Sequence, residues 1–157
     1  MSEALLNGLS YAPHVVERIL RVFPHERLDE RVDPDRYTAR EVVAHLAHYE
    51  QVVLDRIRAA NQQPGRSVPG YDPDAECAEH GYGDKEVFHE AEVFESRRNM
   101  TIEYLKDLSE SDWDKTFTIG ENRTTSIRDY MILILAHDMS HIDQISYFLA
   151  TEVATLS

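Results

Sequence analysis

The sequence predicts an all-α protein, a four-helix bundle with long crossover connections, and three observations carry that reading. Four stretches repeat apolar residues at helical spacing, no strand pattern longer than a few residues competes with them, and the connections differ widely in length. The first stretch runs from about Leu5 to Phe23, with Leu9, Ala12, Val16, Ile19, Leu20 and Phe23 in phase. Pro24 closes it, and Pro13 is expected to divide it, with the firmer helix beginning there. The second opens on a Thr38-x-x-Glu41 capping box and passes through Val42, Val43, Leu46, Tyr49, Val53 and Ile57 to about Gln62.

Pro64, Gly65, Pro69 and Gly70 then end the helix, and residues 63–83 read as a long loop rich in Gly, Pro and Asp. Asp84 is the expected N-cap of a third helix, about Lys85 to Leu108, with Val87, Ala91, Phe94, Ile102 and Leu105 inward. A short turn at Ser109–Trp113 follows, and Thr116–Thr125 alternates around Gly120-Glu121-Asn122 as a small hairpin. Thr125 or Ser126 caps the fourth helix, which extends to about Ala150. At 157 residues with no internal repeat, the chain is expected to form one domain, residues 1–157.

Acidic side chains number 29 against 16 basic ones, a formal charge of −13. Such a surface repels phosphates and anionic lipid, so neither nucleic acid nor membrane is an expected partner. One cysteine, Cys77, permits no intrachain disulfide; with no basic-then-apolar leader and no apolar run near 18 residues, a cytoplasmic location is expected. Cys77 lies among acidic residues, which raise a thiol pKa and make it a poor nucleophile.

The chemistry concentrates in the fourth helix. His137 and His141 lie four apart, hence on one face one turn apart. At about 100° per residue they fall roughly 80° and 40° from the centre of the stripe formed by Ile127, Met131, Ile134, Ile142, Ile145 and Leu149. Asp138 falls inside that stripe, where a carboxylate is costly unless paired. On the second helix His45 lies roughly 90° from the apolar centre and His48 roughly 150°, toward solvent, so His45 is the better third ligand. His14, His25, His80 and His89 show no partner in the sequence. Periodicity alone leaves two readings open, a shared metal or hydrogen-bonded core histidines, because helix order does not show that the two helices touch. Competing motifs fail: the run from Asp72 carries Cys77 and Gly83 where a calcium loop needs glycine and glutamate. Gly81-Tyr82-Gly83 lacks a third glycine, and there is no Gly-x-Ser-x-Gly or His-Glu-x-x-His.

Two blocks, Tyr37-Thr38-Ala39-Arg40-Glu41-Val42-Val43-Ala44-His45-Leu46-Ala47 and His137-Asp138-Met139-Ser140-His141-Ile142-Asp143-Gln144-Ile145, resemble the DinB-like (YfiT-like) superfamily of metal-binding four-helix bundles. The resemblance spans nearly the whole chain. It implies metal ligation by His45, His137 and His141, zinc or nickel as the ion, and a homodimer. It also implies three functional alternatives: an S-transferase joining a low-molecular-weight thiol (bacillithiol, mycothiol or glutathione) to a small electrophile, a metal-dependent hydrolase, or a non-catalytic metal-binding stress-response protein. The chain departs from the family at position 48, where relatives commonly carry an acidic residue and this chain has His48. Asp138 is the candidate for orienting an imidazole or taking up a proton. His48, Gln144, Tyr71 and Tyr82 are the candidates for substrate contacts, with packing as the alternative role of the tyrosines.

Overall fold

The computed structural model describes residues 3–156, with side chains described through residue 150. Four long helices make the bundle: α1 (Glu3–Val22), α2 (Ala39–Gln62), then, after a short helix α3 (Pro73–His80), α4 (Val87–Lys106), and, after a single turn α5 (Glu110–Trp113), α6 (Ile127–Leu156). Helices α1 and α2 each pack against both α4 and α6. The first two helices in sequence therefore sit diagonally, which the long connections permit.

The expected hairpin forms from β2 (Thr116–Ile119) and β3 (Arg123–Ser126), turning at Gly120 with φ +63°. A two-residue strand β1 (Ser67–Val68) adds to it in parallel, which the sequence does not signal. Phe117 is fully buried and meets Tyr130 of α6 edge-on at 5.2 Å, seating the sheet on one end of the bundle.

The capping box of α2 is complete. Glu41 N–H donates to Thr38 Oγ1 at 3.2 Å, and Thr38 N–H donates to Glu41 Oε2 at 2.8 Å. Ser126 caps α6 by accepting from Asp129 N–H at 3.0 Å. Three expectations are corrected. The N-cap of α4 is Glu86 rather than Asp84, its carboxylate accepting from the Phe88 and His89 N–H groups. Residues 63–83 are not all loop, because Asp72 caps α3, Pro73 occupies its first turn and left-handed Gly81 ends it. This helix buries none of its residues, so it has no apolar stripe to betray it.

The third correction concerns Pro13, which does not divide α1. Its missing N–H leaves the Leu9 carbonyl without its helical partner, and the buried Arg98 of α4 donates to that carbonyl at 2.9 Å. On α6, Leu149 is exposed and Phe148 takes the inward place beside Phe23.

Arg98 belongs to a charged layer that divides the core. One apolar cluster includes Leu9, Ile57, Leu105, Trp113 and Ile134; the other includes Val16, Leu20, Leu46, Phe94 and Ile145. Between them lie Glu50, Arg98 and Asp138, each no more than 2% exposed. All five guanidinium N–H groups of Arg98 have acceptors: two on Glu50 through Nε and Nη2, two on Asp138 through Nη1 and Nη2, and one on the Leu9 carbonyl. Burial alone would raise the Asp138 carboxyl; the adjacent Arg98 guanidinium overrides it and holds the group below the usual carboxylate range.

Candidate metal centre

The crossing of α2 with α6, one turn from this charged layer, brings His45, His137 and His141 together. His137 Nε2 lies 3.1 Å from His45 Nε2 and 3.1 Å from His141 Nε2. A tetrahedral ion with metal–nitrogen bonds of about 2.0–2.1 Å separates its donors by about 3.3 Å, so the spacing fits a metal.

Outer contacts fix which nitrogen of each ring faces the centre. Gln144 Nε2 donates to the Tyr37 carbonyl at 3.2 Å, which leaves its Oε1 facing His141 Nδ1 at 3.1 Å. An amide oxygen there requires Nδ1–H, and His141 Nε2 then presents its lone pair inward. His45 Nδ1 meets Tyr71 Oη at 3.2 Å, and Tyr71 Oη meets Tyr82 Oη at 2.9 Å. All three phenols, Tyr37, Tyr71 and Tyr82, are pushed above the ordinary tyrosine range by burial first, Tyr82 to about 12. They stay protonated at neutral pH, able to donate as well as accept. His137 Nδ1 is the exception: buried, without a hydrogen-bond partner, and 3.9 Å from Asp138 Oδ1.

Aromatic rings wall the group. Tyr49 stacks on His45 at 5.4 Å and 17°, and Tyr37 and Tyr71 tilt against it at 5.4 and 5.6 Å. Arg56, which the sequence reading does not single out, is buried and donates to Tyr49 Oη, Tyr130 Oη and the Pro69 carbonyl, tying this wall to the segment before α3. A cavity of about 410 Å³ adjoins the site. None of the three histidines lines it, but Tyr37 and Gln144 do, with Phe23, Val42 and Phe148 as apolar walls and, at the polar edge, the ion pairs Arg27–Glu30 and Arg36–Asp33 and the carboxylate of Asp143.

The candidates read from the sequence therefore separate into groups. His45, His137 and His141 meet; Tyr71 and Gln144 touch them directly, and Tyr82 does so through Tyr71. Asp138 stands beside His137 but spends its oxygens on Arg98. His48 does not join: it is half-buried under α3 rather than in solvent, paired with Glu76. Cys77 is pushed up, by burial first and then by Glu41, and is no nucleophile at neutral pH.

His45 is drawn down to about 2 and His141 to about 4, in both by burial first and then by the neighbouring imidazoles. Both are neutral at pH 7, so an ion displaces no proton from either. Unfolded histidines titrate near 6.5, so below that pH the unfolded chain binds more protons and metal-free stability falls as pH drops toward 4 and beyond. The loss from His45 alone is about 2 kcal/mol by pH 5. Urea melts of chelator-treated protein at pH 7 and pH 5 measure it, and equal midpoints would contradict the burial of neutral imidazoles.

Fold and histidine arrangement together define a four-helix bundle with a three-histidine cluster at a helix crossing. The chain belongs to the DinB superfamily, whose family model matches residues 9–145. Its fold is that of YfiT from Bacillus subtilis, described as "a probable metal-dependent hydrolase with an unusual four-helix bundle topology". The two superpose with a TM-score of 0.87 at 16% sequence identity, covering 96% of this chain and 90% of YfiT. No curated protein matches the sequence. Among the described residues, no helix is long and apolar enough to cross a membrane.

Proposed function

We propose that this protein is a metal-dependent enzyme that joins a low-molecular-weight thiol to a small electrophile, using a divalent ion, zinc or nickel, held by His45, His137 and His141. The observation that carries the reading is the convergence of three imidazole Nε2 atoms, with a lone pair aimed inward at His141 by Gln144. Such an ion, bound by three neutral nitrogens with positions left open, supplies Lewis acidity that makes a thiol or a water beside it a nucleophile near neutral pH.

The chain's own residues supply the rest. Tyr71 holds the outer nitrogen of His45 and Gln144 that of His141. The adjoining cavity lies within the size range of small-molecule sites, and its apolar walls suit a compact, largely apolar substrate, since both of its arginines already face carboxylates, Arg27 with Glu30 and Arg36 with Asp33. Hydrolysis is the second reading, favoured by the likeness to YfiT as that protein is described.

Purified protein is expected to carry metal that His141→Ala lacks, by elemental analysis; unchanged content would sink the three-histidine site. The loaded protein is then incubated with an electrophilic aromatic and a panel of thiols, and separately with esters and amides. Thiol-dependent consumption of the aromatic supports the transferase. Ester or amide cleavage without a thiol supports the hydrolase, and turnover in neither overturns the enzyme reading.

A further inference from the structure

Helix α3 lies over α2 without burying any of its own residues. The apolar anchor of this segment is Tyr82, just beyond the end of α3 and 1% exposed, rather than α3 itself. Its contact with α2 is polar: Glu76 Oε2 lies 3.1 Å from His48 Nε2 of α2 and 3.2 Å from His80 Nε2, one turn further along α3. The His48 and His80 rings lie 4.2 Å apart. One ligand atom from each of the three residues falls within 4.8 Å of the other two.

We infer that His48, Glu76 and His80 form a second divalent-metal site, distinct from the three-histidine centre. Two imidazoles and one carboxylate are a complete protein donor set for zinc. An i, i+4 pair on one helix and a third donor from a facing helix present them as such a site requires. The side chains are 28, 29 and 39% exposed, so an ion enters from solvent and water completes its coordination. Without an ion, the carboxylate meets His48 in one hydrogen bond and lies beside His80 on a partly exposed surface, an arrangement worth little to stability.

The position gives the ion a task. The segment that carries α3 also carries Tyr71, whose hydroxyl meets His45, and Tyr82, whose hydroxyl meets that of Tyr71. Tyr82 also packs 5.8 Å from His48 and 6.4 Å from His80. An ion bridging α2 and α3 clamps that segment over the first site, so the second site sets how firmly the first is covered.

The test uses the full chain, stripped with chelator, reloaded with zinc chloride, desalted and assayed for metal. Wild type is expected to hold about two zinc ions per chain, and His80→Ala, Glu76→Gln and His141→Ala about one each. His80→Ala/His141→Ala is expected to hold none. His80 and Glu76 lie outside the core, so their variants are expected to fold, which circular dichroism checks. In His141→Ala, where the second site alone remains, zinc is expected to slow tryptic cleavage at Arg66 and Lys85 severalfold, an effect lost in the double variant. Metal content unchanged by His80→Ala overturns the inference, as does equal loss in His89→Ala, an exposed histidine outside the cluster. If His141→Ala keeps all its metal while His80→Ala loses an ion, the three-histidine reading fails and the second site stands.

Discussion

Arg98→Met is expected to destabilise the protein by about 3–5 kcal/mol, the cost of removing one member of a buried ion network and stranding the others. The stranded groups are the carboxylates of Glu50 and Asp138 and the Leu9 carbonyl that Pro13 leaves open. Methionine preserves much of the side-chain volume, so the loss reports electrostatics and hydrogen bonding rather than a large cavity. With domain stabilities of about 5–15 kcal/mol, such a loss leaves a marginal fold. Urea denaturation measures it. Replacing the whole layer, as in Arg98→Met with Glu50→Leu and Asp138→Leu, is expected to recover most of the deficit, since an apolar layer strands no charge. A cost below about 1 kcal/mol for Arg98→Met would mean that water or protonation satisfies both carboxylates.

This layer also marks where local patterns run out as a guide to the fold. The four long helices are legible because each carries an apolar stripe, and the Thr38–Glu41 box and the Gly120 turn because each uses residues with a specific backbone role. Asp138 is visible as a carboxylate inside a stripe, but its partner is not. Arg98 carries the same signal, four residues after Phe94 and four before Ile102, and Glu50 lies four after Leu46 and three before Val53. A charge in phase with an apolar stripe, found on three helices at once, points to a buried network.

Pro13 misleads for the same reason. Whether a proline breaks a helix depends on who claims the freed carbonyl, and that donor lies 89 residues from it in sequence. The three histidines are legible individually, by angle, while their meeting depends on the α2–α6 crossing. Helix α3 and the His48–Glu76–His80 cluster are not legible, because a helix that buries none of its residues shows no apolar periodicity and its histidine reads as a loop residue.

Saturating zinc or nickel is expected to raise the melting temperature of the chelator-treated protein by roughly 10 °C, and His137→Ala to abolish most of that rise. An ion that binds only the folded chain stabilises it by about 4 kcal/mol when its free concentration is a thousandfold above Kd. In a domain of this length each kcal/mol shifts the midpoint by about 2–4 °C. The folded chain is prepared for this binding. The pKa of His45 is already drawn down to about 2 and that of His141 to about 4, so no proton need leave either, and no helix need move to bring the nitrogens together. His137 is the informative position because its Nε2 touches both of the other rings. Removing it leaves His45 and His141 without the donor that joins them, while the Arg98 layer stays intact. Performing the melts in His80→Ala confines the ion to the three-histidine site. A rise that survives His137→Ala in that background would mean that the stabilising ion sits elsewhere.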